Sequence, residues 1–247
     1  MHQLDLARSG EALFKVRGKF LKYTIFVGAV IAYFHPATGP FDSVGANQLW
    51  FGLSFAVAAS GALIRIVTGG YAALGTSGVT KDAPVAAELN TTGPYSLVRN
   101  PLYLGRVLNF TGIAMMSGSW VYGALMLLIS ILVYERISLY EEKFLREEFG
   151  DVRVDEWATS VPFLMPRFHG WVKPKYPFWV RRCIKREDEK IMFLASAVVL
   201  FDLAHRGFEM NQMPDSLAAY VVWAVIMLGY VVSRILRRFT KTFDGIS

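Results

Sequence analysis

The stretch LYLGRVLNFTGIAMMSGSWVYGALMLLISILVY, residues 102–134, decides the fold. Two apolar runs, Leu102–Met116 and Trp120–Tyr134, flank the turn Ser117-Gly118-Ser119. So short a connection predicts two antiparallel, neighbouring helices. The second arm runs on as a charged helix from Glu135 to Phe149, with Gly150 placed to cap its C-terminus.

Similar apolar runs lie on either side, at Phe20–Phe34, Val44–Val67, Ile191–Leu203 and Leu217–Leu236. A chain of 247 residues that is 53% hydrophobic is too apolar for a soluble domain, whose apolar share is roughly 45–50% even with glycine counted. The expected fold class is all-α: a polytopic helical membrane protein with about six transmembrane helices. Several runs fall below the ~20 residues of a comfortable span, so they must extend into their flanks or be sheltered by neighbours.

Charge sets the orientation. Arg8, Lys15, Arg17, Lys19 and Lys22 surround the start of the first run, while His35–Ser43 holds no Lys or Arg. Arg65, Lys81 and Arg99 surround the next connection, Lys143 to Lys190 is richly basic, and Arg234, Arg237, Arg238 and Lys241 close the last run. Because Lys and Arg collect on the cytoplasmic side, a multi-pass integral membrane protein with both termini cytoplasmic satisfies each of these signs. The net charge of +6 lies where contacts to anionic lipid would place it, which argues against nucleic acid as a partner. The single cysteine, Cys183, excludes an intramolecular disulfide. No small-x-small cleavage site follows the first run, which reads as an uncleaved anchor.

Three segments follow from this pattern. Residues 1–67 hold an amphipathic lead and two membrane helices, residues 68–170 a core containing the hairpin, and residues 171–247 a basic interfacial segment and two further membrane helices. In the lead, Leu4, Leu6, Leu13, Phe14 and Val16 suit a membrane surface. Gly52, Ala56 and Ser60, with Ala58 and Ala62 beside them, predict a stripe that another helix can approach closely. The connection Thr68–Asn100, with the glycine clusters Gly69–Gly70 and Gly75–Gly78, is too long for a featureless loop and reads as functional. Between Trp171 and Lys190, aromatic rings alternate with Lys and Arg as they do at a bilayer interface.

The string richest in chemistry is Thr91-Thr92-Gly93-Pro94-Tyr95-Ser96-Leu97-Val98-Arg99-Asn100-Pro101-Leu102-Tyr103-Leu104-Gly105. Asn100 followed by Pro101 predicts a capped helix start, whose free amides favour an anion. Arg99 adds a fork-shaped cation suited to a carboxylate. Past the hairpin come Glu141-Glu142, Leu145, Phe149-Gly150 and Val161-Pro162 to Pro166.

Together these strings resemble the two-part signature of the isoprenylcysteine carboxyl methyltransferase and phospholipid methyltransferase families: G-P-Y-x-x-V-R-H-P-x-Y-x-G, then a Glu pair, F-G and V-P-x-x-x-P. The resemblance covers roughly Gly75–Arg167. It implies transfer of a methyl group from S-adenosylmethionine to a lipid or lipidated acceptor, a carboxylate or a headgroup amine, in a pocket on the cytoplasmic face. Carried over residue by residue, cofactor contacts fall on Tyr95, Leu97, Arg99, Asn100, Tyr103, Leu104, Glu141 and Glu142. Arg136 and Arg65 are candidates for an anionic acceptor group, although positive-inside placement is the stronger explanation of Arg65.

Two features depart from the family. Asn100 stands where the family has His, and Asn cannot titrate, so any acid–base role at that position is lost. The stretch Asp151 to Ser160 offers Trp157 where the family has tyrosines. Adjacent helical residues point about 100° apart, so one of the Glu pair can face the pocket while the other faces water. Glu142 and Arg146 are also spaced for a surface ion pair.

No catalytic base stands out, which tilts the reading toward a carboxylate or an already neutral nucleophile as acceptor. There is no G-x-G-x-x-G after a strand and no P-loop. His2, His35, His169 and His205 are scattered without ligand spacing, so no metal site is expected. Two other classes remain open: an NADPH-dependent membrane reductase of the sterol or steroid type, and a catalytically silent lipid-binding module of the same fold. The C-terminal helices leave open a homodimer formed through membrane helices.

Overall fold

The structure is a computed structural model that describes residues 2–35, 37–76, 83–209, 217–243 and 245, with the side chains of residues 2–8 left out. Gly78, Lys81, residues 210–215 and the side chains of Leu4, Leu6 and Arg8 therefore lie outside the described residues. The elements are α1 (His2–Val16), α2 (Phe20–Phe34), α3 (Val44–Tyr71), a 3-10 turn (Gly93–Ser96), α4 (Pro101–Met115), α5 (Trp120–Phe149), α6 (Asp151–Ser160), α7 (Val180–His205) and α8 (Leu217–Phe239). The described residues are helical with no strand, only an isolated bridge between Thr76 and Ala86.

The hairpin forms as its sequence predicts. Gly118 turns the chain at φ +85°, and the Ser119 hydroxyl accepts the Tyr122 amide at 3.2 Å to cap α5. At the far end Gly150 takes φ 85° and its amide bonds the Arg146 carbonyl at 2.9 Å.

Three helices, α3, α5 and α8, are long and apolar enough to cross a membrane. Helices α2 and α4 have 15 residues each, or about 22 Å at 1.5 Å per residue, against a hydrocarbon core of ~30 Å. Large apolar side chains stand exposed along several helices, among them Phe26, Leu63, Leu128 and Leu228. Exposure on this scale suits lipid rather than water. On α8 only Ser233 is buried, so nearly the whole helix offers its surface to the surroundings.

The core gathers Leu21 and Ile25 of α2, Ala58 of α3, Val107, Phe110 and Ile113 of α4, Tyr134 and Ile137 of α5, and Phe201 of α7. Four expectations need correction. First, of the small residues read on α3, Gly52, Ala56 and Ser60 are exposed, while Ala58, from the same reading, is buried in a row with Ser54, Gly61 and Arg65. Two helical residues are separated by 200°, so the two rows lie on opposite faces, and the buried row is the one that meets α4. A β-carbon on Gly112 would strike the backbone of Ser54 and Ala58, and one on Gly105 would stand 2.6 Å from the Gly61 carbonyl.

Second, the lead does not lie free on a surface. Phe14 is buried with its ring edge-on to Tyr140 of α5 at 5.7 Å, and Gly10 sits against the Arg136 carbonyl. Third, Gly69 and Gly70 belong to the last turns of α3 rather than to a loop. Gly70 leaves room for the Phe178 ring, and its carbonyl accepts the Trp179 amide at 3.0 Å. Fourth, α7 begins at Val180, well before the apolar run, and the buried Arg182 bonds the carbonyls of Ala72 and Ala73 beyond α3. The division at 67/68 thus falls inside one helix, and the C-terminal segment closes the end of α3.

If the buried row sets the α3–α4 distance, Gly112→Ala destabilises the protein by about 1–3 kcal/mol through overpacking. Gly52→Ala, whose β-carbon meets nothing within 4 Å, is neutral or stabilising by up to about 1 kcal/mol through helix propensity. Thermal unfolding of both variants in one detergent separates the two faces.

Candidate active site

The two halves of the motif, far apart in sequence, are fastened together by backbone. The Gly93 amide bonds the Val172 carbonyl at 2.9 Å, and the Val172 amide bonds the Ser96 hydroxyl at 3.0 Å. Further along, the Arg167 amide bonds the Leu97 carbonyl at 3.0 Å and the Arg99 amide bonds the Pro162 carbonyl at 2.9 Å. This seam holds the start of α4 beside the end of α5. Asn90 fixes the preceding loop, accepting the Ala73 amide at 2.9 Å and donating to the Thr76 hydroxyl at 3.1 Å.

Between these parts lies a cavity of about 520 Å³. It is walled by the loop before α4, the first two turns of α4, the charged end of α5, the start of α7, Phe14 of α1 and Arg17 just beyond it. Both members of the Glu pair line it, rather than one facing water. They do so because different partners flank them. Tyr103 on α4 donates its hydroxyl to Glu141 at 2.7 Å, while Arg99 in the loop lies 2.9 Å from Glu142. The expected pair of Glu142 with Arg146 is also present but longer, at 3.8 Å, and Arg146 makes its closer contact to Asp155 at 2.6 Å.

Glu141 lies 21 residues along α5 from Trp120, about 32 Å, and so beyond the ~30 Å of hydrocarbon. Burial pushes its carboxyl up to about 7, against the opposing pull of the Tyr103 hydrogen bond and of Arg17. Burial also raises Glu142, with Arg99 and Arg146 acting the other way. One atom of this ion pair is left over: Arg99 Nε is buried without a hydrogen-bond partner among the described residues, whereas Glu142 Oε1 is the oxygen that Arg99 Nη1 approaches at 2.9 Å.

Of the residues proposed from sequence for the cofactor, Tyr95, Arg99, Asn100, Tyr103, Glu141 and Glu142 line the cavity. Leu97 and Leu104 are not on its wall. Leu97 belongs to the backbone seam through its carbonyl, and Leu104 is turned about 100° from Tyr103 around α4. Asn100 occupies the N-cap position ahead of Pro101, but its side chain makes no capping bond. It donates instead to the Phe163 carbonyl at 3.2 Å, joining the two motif halves. One face of the Tyr103 ring is taken by Tyr134, stacked at 4.8 Å.

Arg136 is not on the cavity wall. Arg65 is, with its guanidinium held by Glu187 of α7 through hydrogen bonds of 2.9 and 2.6 Å and by the Leu102 carbonyl at 3.3 Å. Glu187, Lys190 and Arg106 line the same cavity and were not anticipated. Only Arg106 had a signal in the sequence, as a charge inside an apolar run.

The phospholipid methyltransferase family model matches residues 49–152, bearing out the resemblance read from the motifs. The cobalt-zinc-cadmium resistance protein CzcN of Cupriavidus metallidurans is 31% identical over 122 residues, 47% of this chain and 55% of that protein. The nickel-cobalt-cadmium resistance protein NccN of Alcaligenes xylosoxydans xylosoxydans is 33% identical over 82 residues, 33% of this chain and 38% of that protein. The chain therefore spans about half, or less, of the length of these curated relatives. No solved structure matches significantly.

A carboxyl near 7 in the folded state, against ~4.3 unfolded, means that the folded protein holds a proton the unfolded chain has lost between those values. Stability from Glu141 is present in full below about 4.3 and is lost as the pH rises through about 7. Glu141→Gln flattens this fall, and chemical denaturation of the two proteins across pH 4–8 in detergent measures the difference.

Proposed function

We propose that the segment similar to phospholipid methyltransferases works as one: the chain binds S-adenosylmethionine in the cavity between α4 and α5 and methylates a lipid or lipidated acceptor. The observation that carries this reading is the convergence of both motif halves on a single cavity, with Glu141 and Glu142 facing Tyr103 and Arg99 across it. Its volume of about 520 Å³ falls within the roughly 300–1,000 Å³ of small-molecule sites.

The residues present fit such a cofactor. Arg99 keeps a buried Nε donor without a hydrogen bond, which a ligand carboxylate can satisfy, and the Glu142 carboxylate beside it can accept from cationic or hydroxyl groups. Glu141, Glu142 and the Tyr103 hydroxyl would hold its hydroxyls and positive charge; Arg99, the Asn100 amide and Tyr95 would complete the enclosure. When bound, S-adenosylmethionine supplies an electrophilic methyl group. The chain has then to orient the acceptor and exclude water, and orientation alone is worth roughly 7–11 kcal/mol. In this reading all six apolar helices cross or insert into the membrane, with both termini and the cavity on the cytoplasmic side. The positive-inside placement of Lys and Arg supports that orientation.

Metal resistance is the phrase in both relatives' names; among the described residues no group of three His, Cys, Asp or Glu could hold a metal ion. The test is calorimetric binding to the detergent-purified protein. S-adenosylmethionine should bind, NADPH should not, and Glu141→Ala and Glu142→Ala should each weaken binding by about 10- to 100-fold, the loss of one charge-assisted hydrogen bond. Binding of NADPH without S-adenosylmethionine would overturn the assignment.

A further inference from the structure

The cavity has a second polar region, deeper along α4 than the Arg99–Glu142 pair. Arg106 lies six residues into the helix from Asn100, about 9 Å further along its axis, and it lines the same cavity. The nearby carboxylates are already engaged. Glu142 faces Arg99 at 2.9 Å, Glu141 accepts from Tyr103 at 2.7 Å, and Glu187 is shared by Arg65 at 2.6 Å and Lys190 at 3.5 Å. Among the described residues Arg106 makes no ion pair and no hydrogen bond; its guanidinium stands 5.8 Å from the Phe110 ring centre. A cation inside an apolar helix, on a cavity wall and without an anionic partner, is costly to keep unless something pairs with it.

We infer that Arg106 receives the anionic group of an amphiphilic acceptor, a carboxylate or a phosphate, whose chain lies along the apolar part of the wall. The inference rests on the methyl-transfer reading and gives it a substrate class. The fork of a guanidinium matches both groups through paired hydrogen bonds. Phe14, Leu89, Leu102, Phe144 and Leu145 supply apolar wall for an alkyl chain. A neutral or cationic headgroup filling the cavity would leave the guanidinium desolvated and unpaired, whereas an anion would pair with it.

The probes are dodecanoate, dodecyl phosphate, dodecanol and dodecyltrimethylammonium, which share one chain and differ in head. Each is titrated calorimetrically into the full chain in dodecyl maltoside. The wild type should bind at least one of the two anions about 10- to 100-fold more tightly than dodecanol or the cation, the range for a charge-assisted hydrogen bond. Arg106→Gln should remove that difference and Arg106→Lys should keep most of it, with S-adenosylmethionine affinity unchanged in both. Should the Gln variant fail to fold, Arg106→Met, which keeps an unbranched stem, serves in its place. Preference for dodecanoate assigns a carboxylate acceptor, and preference for dodecyl phosphate a phosphate-bearing one. Equal binding of all four probes, or an anion preference that survives Arg106→Gln, overturns the inference. A variant that loses S-adenosylmethionine but not the anionic probe overturns it too, while leaving the methyl-transfer reading intact. A wild type that binds the anion through Arg106 but not S-adenosylmethionine sinks the methyl-transfer reading alone.

Discussion

The closeness of α3 to α4 is the constraint on which the rest of the molecule depends. Gly105 has no β-carbon, and into that space come the Gly61 carbonyl and the stem of Arg65, each 2.6 Å from where the β-carbon would be. Arg65 can then extend along α4 to the Leu102 carbonyl and beyond it to Glu187 on α7. Between helices in lipid there is little hydrophobic drive, so close backbone packing and interhelical polar contacts must hold them. The ion pair is not valuable merely as a pair, since removing two charges from water is costly. Its consequence is that α3, α4 and α7 are specified together, because a shift of any one strands a buried charge. The glycine that ends the first half of the motif is therefore a packing residue, and the floor of the cavity follows from it.

Local features of the chain were legible and long-range ones were not. The hairpin could be read because its turn and flanking runs are contiguous, and α2 ends at Phe20 and Phe34 where the apolar run does. Gly150 stops α5 through its own backbone, which no tertiary contact had to supply. By contrast, Arg65 and Glu187 are separated by 122 residues, and neither announces the other. Hydropathy placed the start of the seventh helix near Ile191, because the preceding turns are charged; of those charges Lys185, Arg186, Glu187, Glu189 and Lys190 line the cavity, Arg182 meets the end of α3 and Asp188 pairs with Arg237 of α8. The α3 stripe failed for a related reason. Small residues occur on both faces of that helix, and only the partner decides which face is used.

Asn100 illustrates how a local rule yields to a tertiary one. Its place before Pro101 is that of a helix cap, and the backbone there does begin a helix. The side chain nevertheless turns to the Phe163 carbonyl, because the C-terminal half of the motif lies against it and that carbonyl needs a donor. A fixed, non-titrating amide suits a joint of this kind. The position that sequence comparison would mark as chemically altered is, in this fold, a structural link between the two strings that build the cavity.

The same geometry changes the meaning of Arg99. Sequence alone presents it as a free cation awaiting a ligand carboxylate, yet Glu142 already stands 2.9 Å away. The pair is incompletely satisfied, since Arg99 Nε is buried with no hydrogen bond among the described residues. Leaving such an atom unpaired costs about 1–3 kcal/mol, more where charge is involved. On the methyl-transfer reading, a zwitterionic ligand can exchange into this arrangement, its anion toward Arg99 and its positive charge or hydroxyls toward Glu142. Arg99 and Glu142 would then hold one another in place before binding and be separated by it. On that reading the Arg99–Glu142 pair would favour a zwitterion and Arg106 an anion, so two ligands of different charge would be told apart within one enclosure.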